Sequence, residues 1–334
     1  MPAREIPILG ALKPGRKQRH LIKLPGAALA DDEPRPLTTV AGAKAGPTLF
    51  VNAGVHGGEY PAIESVIRLG SVLDPQTIAG TVVLMPVLNL PAFRTRTPFV
   101  CPVDGINPNR VFPGEGDGSY SEQMVHALMS EFVVHADAYI DLHGGDIPES
   151  LVPFVICRSG SNPIDTRSKE IALAFGLPYV LTVSKPVQVA KGASSYAAGA
   201  AAGVPSILAE AGGVGQMQEP AVALLLNGVM RVMQHLGMLE SATVRPEEEN
   251  LRASHPKQKV LNAFEWVYAG QDGMWYPAVA AGDQVRAGQE IGLLRDLFGD
   301  VLGNFVSPAD GIVLFLTINP SVRKEGVLMG IGVP

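Results

Sequence analysis

TLFVNAGVHGGEYPAIESVIRLGSVL, residues 48–73, reads as a strand, a glycine-rich turn and a helix in immediate succession. Residues 48–54 are expected as a strand, opening on the β-branched, aliphatic and aromatic run Thr48–Val51. From Pro61 to Leu73 apolar residues recur at spacings of three and four, and Pro61 suits the first turn of a helix. The same alternation continues along the chain. Strands are expected at TVVLMPVLN (81–89), AYIDLHG (138–144), PFVICR (153–158) and PSILAEAG (205–212), with helices over Ser121–Val134, Thr166–Phe175 and Ala221–Leu239. Such a succession predicts an α/β unit with a largely parallel or mixed sheet flanked by helices.

Outward from this block the texture changes. Residues 1–46 carry short alternating runs that suit edge strands or a hairpin leading into the sheet, so the first unit is read as 1–240. Residues 241–260, SATVRPEEENLRASHPKQKV, are polar, charged and proline-bearing, as a linker is. From 261 to 334 short strands alternate with glycine turns, which predicts a small all-β domain. Its GDQVRAGQEIG and SPADGIV runs resemble hammerhead domains that carry lipoyl or biotinyl groups. The intervening RDLFGDVLGNF has no lysine to carry one, so the domain is read as a structural cover, a homo-oligomer contact or a gate.

Composition narrows the classes of function. The chain has 334 residues, 46% hydrophobic and 17% charged, enough for a large core. A formal charge of −6 and the absence of any Lys/Arg cluster argue against nucleic acid as a partner. The two cysteines, Cys101 and Cys157, are in no metal-ligand spacing and fit a reducing cytoplasm. No apolar stretch is suited to a signal-peptide core or a spanning helix, so neither export nor a membrane anchor is expected.

The turn in the opening stretch holds the chemistry. His56 and Glu59 stand three apart in a loop directly after an apolar strand, where both side chains can turn toward one point. An imidazole nitrogen and a carboxylate oxygen are ligands that zinc takes, and a catalytic zinc site commonly has three protein ligands and an open position. HxxE alone is a frequent chance pattern. What lifts it here is His143 in AYIDLHGGD, also at the end of an apolar strand and also followed by two glycines. His56, Glu59 and His143 would hold one Zn²⁺ per chain, with Asp141 or a backbone carbonyl placed to orient an imidazole.

Four segments in order, GVHGGE (54–59), NPNRVFPG (107–114), DLHGG (141–145) and AEAGG (209–213), resemble the succinylglutamate desuccinylase and aspartoacylase family, relatives of the zinc carboxypeptidases. The resemblance implies a zinc-carboxypeptidase-like catalytic fold over roughly 48–240 and a β domain beside the entrance to the active site. It also implies hydrolysis of the amide bond of a small N-acyl amino acid. Within that scheme Glu210, at the end of PSILAE, is the expected general base. Asn109 and Arg110 would hold a substrate carboxylate. Arg96, in NLPAFRTRTPF, would share the oxyanion, with Arg94 two residues away as its competitor and Pro98 standing where many relatives carry a further arginine. Two departures stand out: the common HGNE is HGGE here, and the common Asn-Leu-Asn-Arg is Asn107-Pro108-Asn109-Arg110, where proline fixes its own φ and restricts Asn107. A metallocarboxypeptidase acting on peptides and a non-catalytic metal-binding protein are the alternatives.

Overall fold

The computed structural model describes residues 6–30, 33–184, 193–240 and 258–334. Most of the linker read at 241–260 therefore lies outside the described residues. In chain order the strands are β1 (Arg16–Ile22), β2 (Arg35–Ala41), β3 (Lys44–Ala53), β4 (Ala79–Met85), β5 (Ala138–His143), β6 (Glu149–Leu151), β7 (Phe154–Arg158), β8 (Tyr179–Val183), β9 (Ser206–Glu210) and β10 (Lys259–Leu261). They continue as β11 (Ala263–Tyr268), β12 (Gly273–Pro277), β13 (Gln284–Val285), β14 (Glu290–Arg295), β15 (Val301–Val306), β16 (Gly311–Thr317), β17 (Ser321–Val322) and β18 (Val327–Val333). The α-helices are α1 (Tyr60–Val72), α2 (Leu90–Thr95), α3 (Tyr120–Glu131), α4 (Pro163–Phe175), α5 (Ser195–Ala201) and α6 (Glu219–His235).

Nine strands form one mixed sheet in the order β1-β2-β4-β3-β5-β9-β7-β8-β10. Its centre is parallel, through β4, β3, β5 and β9, whereas β7 runs antiparallel to β9. The N-terminal hairpin expected before residue 46 is present as β1 and β2, paired antiparallel along the β4 edge. Lys259 and Val260, read as the end of a linker, instead lie in β10, which adds a parallel edge strand beside β8.

Strand periodicity sorts side chains to two faces. On one face Val155, Cys157, Ile207 and Ala209 join a core with residues of α1, α4 and α6, such as Val66, Phe175 and Val229. On the other, Phe50 and Tyr139 stack on each other and Phe50 stacks on Phe132, just past α3, with ring centroids 5.6 and 5.2 Å apart. Helix α3 starts with a full capping box between Ser119 and Glu122, and α4 with Asn162, whose side chain accepts from the backbone of Ile164 and Asp165. Both helices are thereby fixed at the end from which they pack on the sheet.

The C-terminal strands make two further sheets, β11-β18-β16-β13 and β15-β14-β12-β17, around a core that includes Trp275, Ile291, Leu294 and Val313. They are tied to the main unit by β6, which pairs antiparallel with β16. The β14–β15 hairpin, where a carrier domain presents its lysine, exposes Leu297 and Phe298 instead. No helix among the described residues is long and apolar enough to cross a membrane.

Candidate metal centre and active-site cavity

Strand β3 ends at Ala53, and the loop that follows drops His56 and Glu59 at the foot of α1, with Glu59 as its N-cap residue. Strand β5, adjacent and parallel to β3, ends on His143. Ligand atoms of His56, Glu59 and His143 all lie within 4.8 Å of one another, and all three side chains are buried. His56 Nδ1 is 2.7 Å from Glu59 Oε1, and His143 Nδ1 is 2.9 Å from Glu59 Oε2.

What lies behind the rings decides their chemistry. His143 Nε2 is 2.8 Å from Asp141 Oδ2, and His56 Nε2 is 3.0 Å from Asn107 Oδ1, so each Nε2–H donates to an oxygen and each Nδ1 faces Glu59. In a neutral ring of that tautomer Nδ1 is a lone pair, and a lone pair pressed against a carboxylate needs a cation between them. A proton or a metal ion can fill that role. Burial disfavours charge on His143, but Asp141 and Glu59 on either side outweigh it and hold the imidazole well above its usual 6.5. Burial likewise raises Glu59, yet His143 and His56 bring it down to about 2, which keeps it ionised as a ligand must be. Glu59 Oε2 has no aligned hydrogen-bond partner despite its nearness to His143. Two nitrogens and a carboxylate with an orphaned oxygen, converging on one point, suit a divalent ion with zinc-like preferences.

Asn107 was given no role from the sequence. It precedes Pro108, whose restriction holds it extended at φ −77° and ψ 111°, and its Oδ1 also accepts the Asn109 N–H at 2.9 Å as it caps the short turn Pro108–Arg110. The proline that departs from the common motif thus fixes the side chain that orients His56. The other departure has an equally local cause. A Cβ at Gly58 would stand 2.0 Å from Asp146 Oδ1, and Asp146 is engaged with the backbone N–H groups of Phe99 and Ile147 at 2.6 and 2.7 Å. Asparagine cannot enter that space while Asp146 fills it. Gly58→Ala is expected to destabilise the fold by about 1–3 kcal/mol, read from urea unfolding of the metal-free protein.

The centre opens into a cavity of about 970 Å³ between the main sheet and the C-terminal strands. Glu210 lines it from the end of β9, where it is the register partner of His143 on β5. Neighbouring parallel partners face the same side of a sheet, so the two side chains emerge together. Burial drives the Glu210 carboxyl up to about 8; His143 and Arg110 pull it down, and Glu59 and Asp141 push it up. Glu149, carried in by β6, lies well above the usual carboxylate range because of burial and the adjacent Glu210, Glu59 and Asp146. No sequence signal marked Glu149, since contacts remote in sequence place it, the pairing of β6 with β16 and the Val214 N–H donated to Glu149 O at 2.9 Å.

Asn109 and Arg110 also line the cavity. Asn109 Oδ1 accepts the Ser195 N–H at 2.9 Å, which leaves the Nδ2 amide for the cavity. Arg110 Nη1 donates to Asn109 O at 2.8 Å, and the guanidinium lies 5.9 Å over the Trp266 ring. Among the described residues no carboxylate completes an ion pair with it, and burial presses its pKa below the usual 12.5. Tyr196, on α5, lines the same wall.

Arg96 is in a different place from the one expected. Helix α2 ends at Thr95, and Arg96 follows in the left-handed conformation at φ 56°, exposed and outside the cavity lining. Arg94 pairs with Glu33 at the surface. Neither arginine of that segment is among the residues that line the cavity, so the oxyanion role expected of Arg96 is withdrawn.

Known proteins share this sequence pattern and fold. A family model described as the succinylglutamate desuccinylase/aspartoacylase catalytic domain matches residues 45–236. An N-alpha-acetyl-L-2,4-diaminobutyric acid deacetylase of Halomonas elongata is 30% identical over 291 residues, 84% of this chain and 80% of that protein. Among solved structures, the product-bound ectoine utilization protein EutE (DoeB) from Ruegeria pomeroyi superposes with a TM-score of 0.82 at 22% identity, covering 99% of this chain and 100% of that one. A succinylglutamate desuccinylase/aspartoacylase from Rhodobacter sphaeroides gives 0.79 at 24% identity, with 97% of each chain covered.

Proposed function

Since the chain belongs to the succinylglutamate desuccinylase/aspartoacylase family, we propose that it is a zinc-dependent deacylase that hydrolyses the amide bond of a small N-acyl amino acid, releasing a carboxylate and a free amino acid. The observation that carries this reading is the Glu210–His143 register pair beside the His56–Glu59–His143 cluster, at the head of a cavity that also holds an unpaired guanidinium. The Halomonas relative, a deacetylase of an acetylated diamino acid, supports the reaction class.

His56 and His143, through Nδ1, and Glu59 would hold the ion. Bound there, a zinc ion supplies Lewis acidity to the scissile carbonyl and to a water molecule. Glu210 takes the proton from the attacking water and returns it to the amine nitrogen as the carbon–nitrogen bond breaks. Burial raises its pKa above that of an ordinary carboxylate, and a group that titrates nearer neutrality can both take the proton and give it back. Arg110 and the Asn109 amide bind the substrate carboxylate, which offsets the buried positive charge and orients the acyl-bearing nitrogen toward Glu210. Asp141 and Asn107 keep both imidazoles turned with Nδ1 toward Glu59, the side on which they would hold an ion.

Arg110→Lys keeps the charge and loses the planar fork. Its KM for an N-acyl amino acid is expected to rise about 10- to 100-fold with kcat changed far less, the loss of one charge-assisted bidentate contact. A KM within twofold of wild type would remove Arg110 from the carboxylate site. The reading as a whole is tested by following amine release from a panel of N-acetyl amino acids and of dipeptides with zinc-loaded protein. Release from the acetylated compounds supports the deacylase, and release from the peptides alone would make the chain a carboxypeptidase.

A further inference from the structure

The cavity holds far more than a metal site and a carboxylate clamp. Its volume of about 970 Å³ stands at the upper end of what drug-sized ligands occupy, whereas an acetylated small amino acid fills a fraction of it. The surplus space is apolar on both sides. From the main sheet, Ile156 of β7, Leu181 and Val183 of β8 and Leu208 of β9 point into it on alternate positions. Facing them are Phe264 and Trp266 of β11 and Phe315 of β16, three rings with centroids 4.8–5.6 Å apart. Several of these, Ile156, Val183, Phe264 and Trp266, are only half-buried, so apolar surface is left open toward the cavity.

Position relative to Arg110 says which part of a substrate reaches this wall. The guanidinium lies over the Trp266 ring, so a carboxylate bound to Arg110 is next to the aromatic cluster. In an N-acyl amino acid the α-carbon bears both the carboxylate and the side chain. The side chain of the amine half therefore leaves from beside Trp266, while the acyl group leaves from the carbonyl at the metal end. Resting on the deacylase reading, we infer that the amino acid released by this enzyme carries a large apolar side chain, aromatic or branched aliphatic, seated between Trp266, Phe264 and Phe315 on one side and Ile156, Leu181 and Val183 on the other. Among the described residues, the charged side chains that line the cavity away from the clamp and the metal ligands are Arg323 and Glu325, exposed at its rim, and Glu149 and Glu210.

The test uses full-length, zinc-loaded protein and compares kcat/KM for N-acetyl derivatives of phenylalanine, leucine, alanine, aspartate and 2,4-diaminobutyrate, together with N-octanoylglycine. Phenylalanine and leucine are expected to exceed alanine by about 100-fold, within the range that filling an apolar pocket gives. Trp266→Ala is expected to reduce the phenylalanine-to-alanine ratio at least tenfold, a quantity from which any general loss cancels. Binding gives a second readout. The chain has two tryptophans, of which Trp275 is buried in the C-terminal core, so quenching of fluorescence by added phenylalanine reports Trp266 and should vanish in Trp266→Phe. Preference for aspartate or diaminobutyrate, or faster turnover of N-octanoylglycine than of N-acetylphenylalanine, would overturn the inference. Turnover of all substrates at similar rates overturns it too while leaving the deacylase reading intact. Specific quenching by phenylalanine without hydrolysis of any compound supports the apolar site and sinks the deacylase reading instead.

Discussion

Glu210→Gln is expected to lower kcat about 10²- to 10⁴-fold while leaving zinc content and KM close to those of wild type. Glutamine matches glutamate in shape and can still donate a hydrogen bond, but it cannot take a proton from water, and general-base contributions fall in that range. The register of β9 against β5 is why the base is placed at this residue rather than at Glu149, because Glu210 emerges beside His143, itself a ligand of the proposed ion. Glu149→Gln, by the same reasoning, should keep most of kcat. The pH profile separates the two. Only the carboxylate form of Glu210 is a base, so kcat/KM should rise with pH through the Glu210 pKa. In the metal-free protein that value is raised to about 8, chiefly by burial. A cation among the ligands favours the charged form, which moves the rising limb below 8 and above the ordinary 4.5. The limb should disappear in Glu210→Gln. An unchanged limb in that variant would assign it to another group.

The same shift has a consequence for folding. A carboxyl whose folded pKa is raised binds its proton more tightly in the native state than in the unfolded one. Its contribution is fully present below the unfolded value near 4.5 and is lost as pH rises through about 8. Metal-free protein is therefore expected to lose stability across that window, and Glu210→Gln to lose less. Catalytic competence and stability oppose each other at this position, as is common where a buried group must be charged to act.

Much of this site could be read before the fold was seen, because its parts are local. His56 and Glu59 share one turn, His143 ends an apolar strand, and glycines follow each, so strand ends that gather in space bring them together. The main helices and the central strands announced themselves by period, with ends displaced by a few residues where caps such as Ser119 and Asn162 set the true start. What escaped is non-local. Glu149 belongs to a three-residue strand whose partner is in the C-terminal region, and β10 is a short edge strand within a polar stretch whose charge pattern suggested a linker. Trp266, Phe264 and Phe315 belong to the stretch read as a small β domain, and strand pattern alone does not tell that part of their surface faces the cavity. Arg96 was misplaced for a related reason: spacing within NLPAFRTRTPF cannot reveal that α2 ends at Thr95 and turns the next residue into solvent.

His143→Ala should have the broadest effect of any single change. It removes a proposed ligand and also the group that balances Glu59, so two losses are separable by experiment. In the metal-free protein, Glu59 remains buried without its main cationic partner, and breaking such a pair is expected to destabilise by about 3–5 kcal/mol. In the presence of zinc at a hundred times its Kd, wild type should gain about 2.7 kcal/mol, whereas the variant should gain almost nothing. Asp141→Asn and Asn107→Ala touch the same nitrogens from behind, at 2.8 and 3.0 Å, and leave all three ligands in place. Their metal affinities should therefore fall by about 10- to 100-fold, less than that of His143→Ala. The order of the three variants, measured by zinc titration against a competing chelator, tests the assignment more sharply than loss of activity does. If Asp141→Asn and Asn107→Ala bind zinc as wild type does, the imidazoles do not coordinate through Nδ1. If His143→Ala retains full affinity, the ion is held elsewhere, and the crowding of both Nδ1 atoms on Glu59 must then be satisfied by protons alone.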